Sequence, residues 1–230
     1  SQTLVGERKI IVNAGTDISK KPIWIEGPHI YKRNGFYYLM AAEGGTAENH
    51  SEVIFRSREI WGPYEVFKDN PILTQRDLPG VRPNPITSAG HADIVETLNG
   101  EWVAVFLACQ PYSDNHYNTG RQTFFHPVDW LGEWPVILEK GKVIPEETTS
   151  PLKPEAGKIT FYEYSANWRD DFEDDNLKLE WNFIRTPTEK WYTLEKGKLM
   201  INARPVSISE VGNPSFIGRR LQFAKTHFTA

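Results

Sequence analysis

The chain has 230 residues, enough for one large or two small domains, and its 39% hydrophobic and 24% charged residues are typical of a globular protein. The net charge is −4, and lysine and arginine are scattered among acidic residues, so a nucleic-acid partner is not expected. No run of 18 apolar residues predicts a membrane span, and Cys109, the only cysteine, excludes an intrachain disulfide and a cysteine-based metal site.

The first 150 residues contain an internal repeat with an offset of 65 residues. Asn34-Gly35 recurs as Asn99-Gly100, and each pair lies between two apolar-rich runs, which predicts a β-hairpin with a type I′ turn. The same offset relates Arg56 to Arg121 in the predicted third strands, and fourth strands are predicted near 71–73 and 135–137. Two successive four-stranded antiparallel units are typical of β-propeller blades.

The pattern changes near residue 150, which divides the chain into three predicted segments. Residues 1–150 are predicted to be a partial propeller of two blades and a preceding strand, 151–169 a linker, and 170–230 a truncated β-sandwich built from short strands. Two blades cannot close a ring, since propellers have about four to eight. We therefore expect the missing blades to precede Ser1, and both ends of the chain to be cut.

The repeat also predicts a site. The offset of 65 carries Glu26 onto His91, each at the start of the first strand of its unit. First strands line the central channel of a propeller, so the two side chains are expected to share a pocket. Gly27-Pro28 predicts a bend, and Trp24-Ile25 is expected to desolvate Glu26, as suits a general acid. From these local features alone, an ordinary surface glutamate is the alternative.

At residues 25–46 the sequence resembles the fourth blade of glycoside hydrolase family 43, the β-xylosidases and α-L-arabinofuranosidases. Further motifs follow in the family's order: His50-Ser51, Gly90-His91-Ala92-Asp93 and Gly120-Arg121-Gln122-Thr123. Residues 174–185 are similar to the opening of the β-sandwich that many members append. The resemblance implies an all-β chain: part of a five-bladed β-propeller followed by the beginning of a concanavalin-like β-sandwich.

The resemblance implies an inverting, exo-acting glycosidase that releases xylose or arabinose from xylo-oligosaccharides or arabinoxylan. Glu26 matches the family's acid. The aspartate that acts as base and a second aspartate that orients the acid would both precede Ser1, so the isolated chain is expected to be inactive. The alternative is a non-catalytic carbohydrate-binding module that keeps the scaffold without the chemistry.

Other site residues are carried over from the same resemblance. His91 matches a histidine near the channel axis that in some members lies close to a hydrated calcium ion, so contact with a metal through water is an expectation. Arg121 matches an arginine that contacts the sugar, and Thr46 is carried over as a pocket residue. No cofactor is required, and a structural Ca²⁺ on the propeller axis is the one cation implied. Gln122 stands where the family often has glutamate, which removes a charge near the pocket.

The residue spacing of two further features argues against metal binding. His29 lies three positions after Glu26, and an odd spacing on a strand predicts opposite faces. The acidic run at 170–175 lacks the spacing and central glycine of an EF-hand and is predicted to be a solvated turn. Xylose and arabinose specificity are not separated by the sequence. A homo-oligomer is compatible with it, and a periplasmic or secreted location is favoured over a cytoplasmic one.

Overall fold

The computed structural model describes residues 3, 5–17, 19, 24–149, 151 and 167–229. The chain divides into two compact units, Ser1–Pro154 and Glu155–Ala230. The predicted linker at 151–169 lies mostly outside the described residues. In the part of the chain that is described, no helix has the length and apolar character needed to cross a membrane.

The first unit contains two antiparallel sheets. The first sheet consists of β1 (Ile25–Arg33), β2 (Phe36–Glu43), β3 (Ser51–Ser57), β4 (Glu65–Val66) and β5 (Leu73–Thr74). Its order is β1-β2-β3-β4, with β5 also paired to β3. Asn34-Gly35 joins β1 to β2 with φ angles of 48° and 78°, the positive pair that a type I′ turn requires, so this predicted turn is confirmed. At Asn99-Gly100 only Gly100 has a positive φ, 80°, so the hairpin forms but the predicted turn type is wrong there.

The second sheet has the same meander topology. It consists of β6 (Thr87–Glu96), β7 (Trp102–Cys109), β8 (Arg121–Leu131) and β9 (Trp134–Val136), in that order. A short 3-10 turn at Ser113–Asn115 lies in the connection between β7 and β8. The prediction of an all-β region with two successive antiparallel units is therefore confirmed.

The fourth strand of the first sheet is interrupted, and a side chain fills the gap. Between β4 and β5, the Asn70 amide accepts a hydrogen bond from the Ile54 N–H at 2.9 Å and donates one to the Ile54 carbonyl at 2.9 Å. The amide thus satisfies both backbone groups of a residue in β3, as a neighbouring strand would. After this, the Ile72 N–H donates to the Glu52 carbonyl and pairing with β3 resumes.

The main core lies between the two sheets. Tyr38, Met40 and Ile54 from the first sheet pack in one cluster with Ala104 and Phe106 from the second. The opposite faces of β2 and β3 form a smaller cluster, whose members are Leu39, Val53 and Phe55 together with Ile11, Val12, Ile25 and Tyr64. Because both faces are covered, most of β2 and the middle of β3, residues 53–55, read as apolar runs in the sequence.

The strand registers show that the repeat is not uniform. In β1 a β-bulge separates Glu26, opposite Ala42, from His29, opposite Met40. In β6 the same bulge separates Gly90, opposite Leu107, from Asp93, opposite Val105. The first strands are therefore related by 64 residues, from His29 to Asp93, and the second strands by 65, because the second hairpin turn is one residue longer.

This register corrects two predicted equivalences. The counterpart of His91 is Gly27, not Glu26, and both bulge residues have positive φ, at 55° and 56°. The third strands are related by 71 residues, from Ile54 to Phe125, because the loop that precedes β8 is longer than the one that precedes β3. Arg56 is therefore not the counterpart of Arg121: it lies near the opposite end of its strand and pairs with Glu65 and Glu133.

The second unit contains four short strands in two ladders. β10 (Trp181–Asn182) pairs with β13 (Gly218–Arg219), and β11 (Tyr192–Leu194) pairs with β12 (Leu199–Ile201). Near its start, the Asp170 carboxylate accepts hydrogen bonds from the Trp181 indole at 2.8 Å and the Phe172 N–H at 3.0 Å, and lies 3.1 Å from Lys178. The prediction of a solvated acidic turn is therefore wrong for Asp170, whose side chain is 5% exposed.

Candidate functional site

The two first strands approach each other at their bulges, and this brings Glu26 and His91 together. A Cβ atom added to Gly27 would lie 2.4 Å from His91 Nε2, so the imidazole occupies the space that only glycine leaves open beside Glu26. The contact differs by one residue from the predicted equivalence, since the His91 ring lies against Gly27 and not against its neighbour Glu26.

Arg121 and Thr46 are also brought together. Arg121 begins β8, Thr46 lies in the loop after β2, and the Arg121 guanidinium donates from Nη1 to Thr46 Oγ1 at 3.2 Å. The adjacent Gln122 side chain donates to Thr119 Oγ1 at 2.9 Å. The amide that replaces the family's frequent glutamate is therefore held in the turn that leads into β8.

His50 interacts electrostatically with members of both pairs, although it was not predicted from the sequence to be a site residue. It is 1% exposed, and its ring centroid lies 6.4 Å from that of His91. Burial lowers the pKa of His50, the Ser88 hydrogen bond raises it, and its charge would interact with those of His91, Glu26 and Arg121. Glu26, His91 and Arg121 therefore all lie within electrostatic range of one buried imidazole.

The tautomer of His50 follows from its contacts. Nδ1 lies 2.9 Å from the Ser88 carbonyl oxygen, which can only accept, so Nδ1 carries the proton. Nε2 then presents a lone pair, and it has no hydrogen-bond partner among the described residues. The register explains why His50 lies here: at an offset of 71 it is the counterpart of Arg121, at the same end of its sheet.

Glu52 is the second residue that sequence reasoning missed. It is 0% exposed, and its Oε2 accepts a hydrogen bond from the Ala92 N–H at 2.9 Å. Burial raises the pKa of Glu52 well above its usual range, and hydrogen bonds from the Ala92 and His91 N–H groups oppose this rise. A glutamate between Ser51 and the apolar run from Val53 was the available signal, since an acidic residue within a buried strand needs a partner.

Two sequence expectations around Glu26 are wrong. Ile25 pairs with Glu43 and packs on the opposite face of the sheet, and Trp24 is 69% exposed, so neither desolvates the exposed Glu26 side chain. His29 was expected on the face opposite Glu26. The extra residue of the bulge instead returns His29 to the same face, where its Nδ1 lies 3.8 Å from Asp93 Oδ1.

The donor groups of the described residues do not suit the expected calcium ion. Across the described ranges, no cluster of three or more His, Cys, Asp or Glu side chains is arranged to hold a metal ion. Calcium binds about six to eight oxygen ligands, whereas His91 supplies a nitrogen. The described residues therefore do not fit a calcium site by themselves, and contact through water at His91 stays a prediction.

Residues 1–135 match the family model described as glycosyl hydrolases family 43, and residues 169–230 match the one described as a beta xylosidase C-terminal concanavalin A-like domain. A non-reducing end alpha-L-arabinofuranosidase of Bacteroides ovatus is 39% identical over 198 residues, which cover 85% of this chain and 36% of the relative. A beta-xylosidase of Bacillus subtilis is 34% identical over 244 residues, covering 100% of this chain and 42% of the relative.

A solved structure gives the same result for the fold. The crystal structure of a xylan beta-1,4-xylosidase from Bacillus halodurans matches with a TM-score of 0.77 and 34% identity, over 95% of this chain and 40% of that one. The chain thus spans 36% to 42% of the length of these relatives. Both parts of the predicted fold class, propeller blades and a concanavalin-like domain, are confirmed.

Proposed function

The chain belongs to glycosyl hydrolases family 43, and from this premise we propose that it is part of an inverting, exo-acting glycosidase acting on xylo-oligosaccharides or arabinoxylan. The observation that carries the proposal is the position of Glu26. Its side chain is exposed, the His91 ring lies against the adjacent Gly27, and Glu26, His91 and Arg121 all interact electrostatically with the same buried histidine. The names of the relatives, an arabinofuranosidase and a xylosidase, support xylose and arabinose as the released sugars.

In the proposed reaction Glu26 is the general acid. It gives its proton to the glycosidic oxygen as the bond to the anomeric carbon breaks, while a carboxylate on the other side of the sugar activates the attacking water. In inverting enzymes these two carboxyl groups stand roughly 6.5 to 9.5 Å apart, which leaves room for the water. We propose that this second carboxylate comes from the part of the enzyme that precedes this chain.

The remaining site residues bind and orient the sugar. Arg121 can donate parallel hydrogen bonds from its guanidinium to neighbouring sugar hydroxyls, and Thr46 accepts from Nη1 of the same group and so fixes its direction. His91 stands against Gly27 and limits the space in which the Glu26 side chain can move.

The test replaces the proposed acid in the full-length enzyme that contains this chain. Glu26→Gln should lower kcat on an aryl xyloside or arabinofuranoside with a poor leaving group by roughly 10²- to 10⁴-fold. The loss should be much smaller for a good leaving group, which departs without protonation. Glu101→Gln, an exposed glutamate at the β6–β7 hairpin, is the matched control and should leave both rates unchanged.

Two results would contradict the proposal. Retention of more than about a tenth of the activity by Glu26→Gln on the poor leaving group would exclude Glu26 as the acid. A wild-type enzyme that binds xylo-oligosaccharides but hydrolyses neither aryl glycoside would favour the non-catalytic carbohydrate-binding module.

A further inference from the structure

A row of three residues crosses the first sheet beneath the site. Glu26 pairs with Ala42, and Ala42 pairs with Glu52 on the next strand. Residues directly opposite one another share a face of the sheet, so both carboxyl groups stand on the side that meets the second sheet. They are separated by the Ala42 methyl group and by two strand spacings of about 4.8 Å each. Glu26 is exposed, whereas Glu52 is 0% exposed.

The bulge of β6 contacts both ends of this row. At one end, the Glu52 carboxyl group accepts a hydrogen bond from the backbone N–H of Ala92 at 2.9 Å, and the neighbouring His91 N–H opposes the rise of the Glu52 pKa. At the other end, the His91 ring lies against Gly27, beside Glu26. Residues 91 and 92 therefore contact the buried carboxyl group of Glu52 and, on the other side, the backbone next to Glu26.

The bulge needs such a contact to keep its shape. His91 has a φ of 55°, a left-handed conformation that costs a non-glycine residue about 1–2 kcal/mol. A bulge also removes backbone N–H groups from the ladder, and buried N–H groups are costly when unpaired. Glu52 supplies the acceptor that the neighbouring strand does not.

Packing alone does not account for a glutamate at position 52. Burial of this carboxyl group is unfavourable, and Oε1 has no hydrogen-bond partner in the described part of the chain. An apolar side chain of similar size would fill the same space between the sheets without that cost. An apolar residue could not accept the hydrogen bond that the Ala92 N–H of the bulge donates to Glu52.

We propose that Glu52 is a positioning residue, which holds the 91–92 bulge so that the His91 imidazole stands against Gly27 and orients the Glu26 carboxyl group. This inference rests on the proposed role of Glu26 as general acid. Glu52 acts through the bulge and does not touch the sugar.

The kinetic test compares two substitutions in the full-length enzyme that contains this chain. Glu52→Gln keeps a carbonyl acceptor for the N–H groups and should retain kcat within about threefold of wild type. Glu52→Met removes the acceptor at similar volume and should lower kcat on a poor leaving group on the order of 10- to 100-fold, as loss of an outer contact does. With a good leaving group, and in KM, the change should be much smaller.

Val53→Ala is the matched control. Val53 is the next residue in β3, is 1% exposed, and faces the other core cluster, so its truncation weakens the same strand without reaching the bulge. A general loss of stability would lower the rates for good and poor leaving groups alike. Only a loss of acid positioning changes the ratio of the rate with a good leaving group to the rate with a poor one.

A second measurement is independent of activity. Amide hydrogen exchange in the 230-residue chain should show the His91 and Ala92 N–H groups protected in wild type and Glu52→Gln, and exchanging on the order of tenfold faster in Glu52→Met. Unchanged protection in Glu52→Met would overturn the inference, as would an unchanged leaving-group ratio. If the wild-type enzyme hydrolyses neither substrate, the proposed function fails, and exchange still decides whether Glu52 holds the bulge.

Discussion

Gly27 is the residue at which the site is most sensitive to a single added atom. Gly27→Ala would place a methyl carbon 2.4 Å from His91 Nε2 at a φ of 56°. We expect loss of the His91 position and a stability cost above the roughly 1–2 kcal/mol of the positive φ alone. The His91 imidazole resonances and the thermal midpoint of the chain report the two effects.

Gly100→Ala is the matched control for this substitution. Gly100 also has a positive φ, 80°, but an added Cβ would meet nothing within 4 Å. It should therefore show only the backbone cost and leave the His91 resonances in place. Equal effects of the two substitutions would mean that the imidazole does not lie against Gly27.

Asp170 provides a pH-dependent prediction in the second unit. Desolvation raises its pKa, but hydrogen bonds from Trp181, Phe172 and Lys178 outweigh this and hold the pKa below the usual value. A depressed carboxyl pKa contributes stability above the unfolded pKa, about 3.9, that is lost as the pH falls through the folded pKa. Asp170→Asn should therefore destabilise the second unit by about 1.5–3 kcal/mol at pH 7 and by much less near pH 2.

The exchange rate of the Trp181 indole N–H, measured across this pH range, tests the prediction. Asp175→Asn, which changes an exposed carboxyl group in the same acidic run, should have little effect at either pH. A constant difference between wild type and Asp170→Asn from pH 7 to pH 2 would contradict the assignment.

At the scale of residues, the sequence predicted the neighbourhood of the site better than its details. Glu26 and His91 were predicted to share a pocket, and the structure places the His91 ring against Gly27, the residue that follows Glu26. His50 and Glu52 were missed because their roles depend on which strand end and which backbone N–H groups lie opposite them. That information is in the register between sheets, which periodicity along one strand does not contain.

Among the elements, the interrupted fourth strand of the first sheet depends on one side chain. Asn70→Asp would keep an acceptor for the Ile54 N–H but lose the donor to the Ile54 carbonyl and place a carboxylate beside that oxygen. We expect a cost of about 1–3 kcal/mol and faster exchange of the Ile54 amide. Asn99→Asp, in the exposed β6–β7 turn, is the control and should leave that amide protected.

Strands and hairpins could be predicted where the residues of a turn by themselves determine its backbone conformation. Asn34-Gly35 determined its hairpin because both residues tolerate positive φ. The β-bulges were not predicted, and the extra residue in β1 shifted the alternation and so the face of His29. The counterpart of His91 moved because the second hairpin turn is one residue longer, and that of Arg121 because the loop before β8 is longer. Gly27-Pro28 predicted a bend, and the bend is the bulge of β1.

At the scale of the molecule, the chain as a separate polypeptide is expected to be inactive toward glycosides and to self-associate. Within the first sheet, β1 is an edge strand, and it leaves Ile30 45% exposed on its outer face. Exposed apolar edges promote pairing between chains. Size-exclusion chromatography should show concentration-dependent oligomers that Ile30→Lys reduces.

Leu98→Lys is the control for this experiment. Leu98 is fully exposed in a turn, so its replacement changes the surface charge by the same amount away from the edge. A wild-type chain that elutes as a monomer at every concentration would contradict the prediction.

The division into propeller and concanavalin-like parts was predictable from the change of pattern near residue 150, since a repeat that stops marks the end of an array.

The carbonyl oxygen of Ile72, the residue before β5 of the first sheet, accepts hydrogen bonds from the N–H groups of Ile137, at 3.1 Å, and Leu138, at 2.9 Å. The Gln75 side chain adds contacts to the Lys142 carbonyl and the Ile144 N–H. The segment around β5 in the first sheet is thus hydrogen-bonded to the segment that follows β9 in the second, and unfolding of either one breaks these bonds. Thermal loss of structure in the two sheets should coincide, as in a single cooperative folding unit.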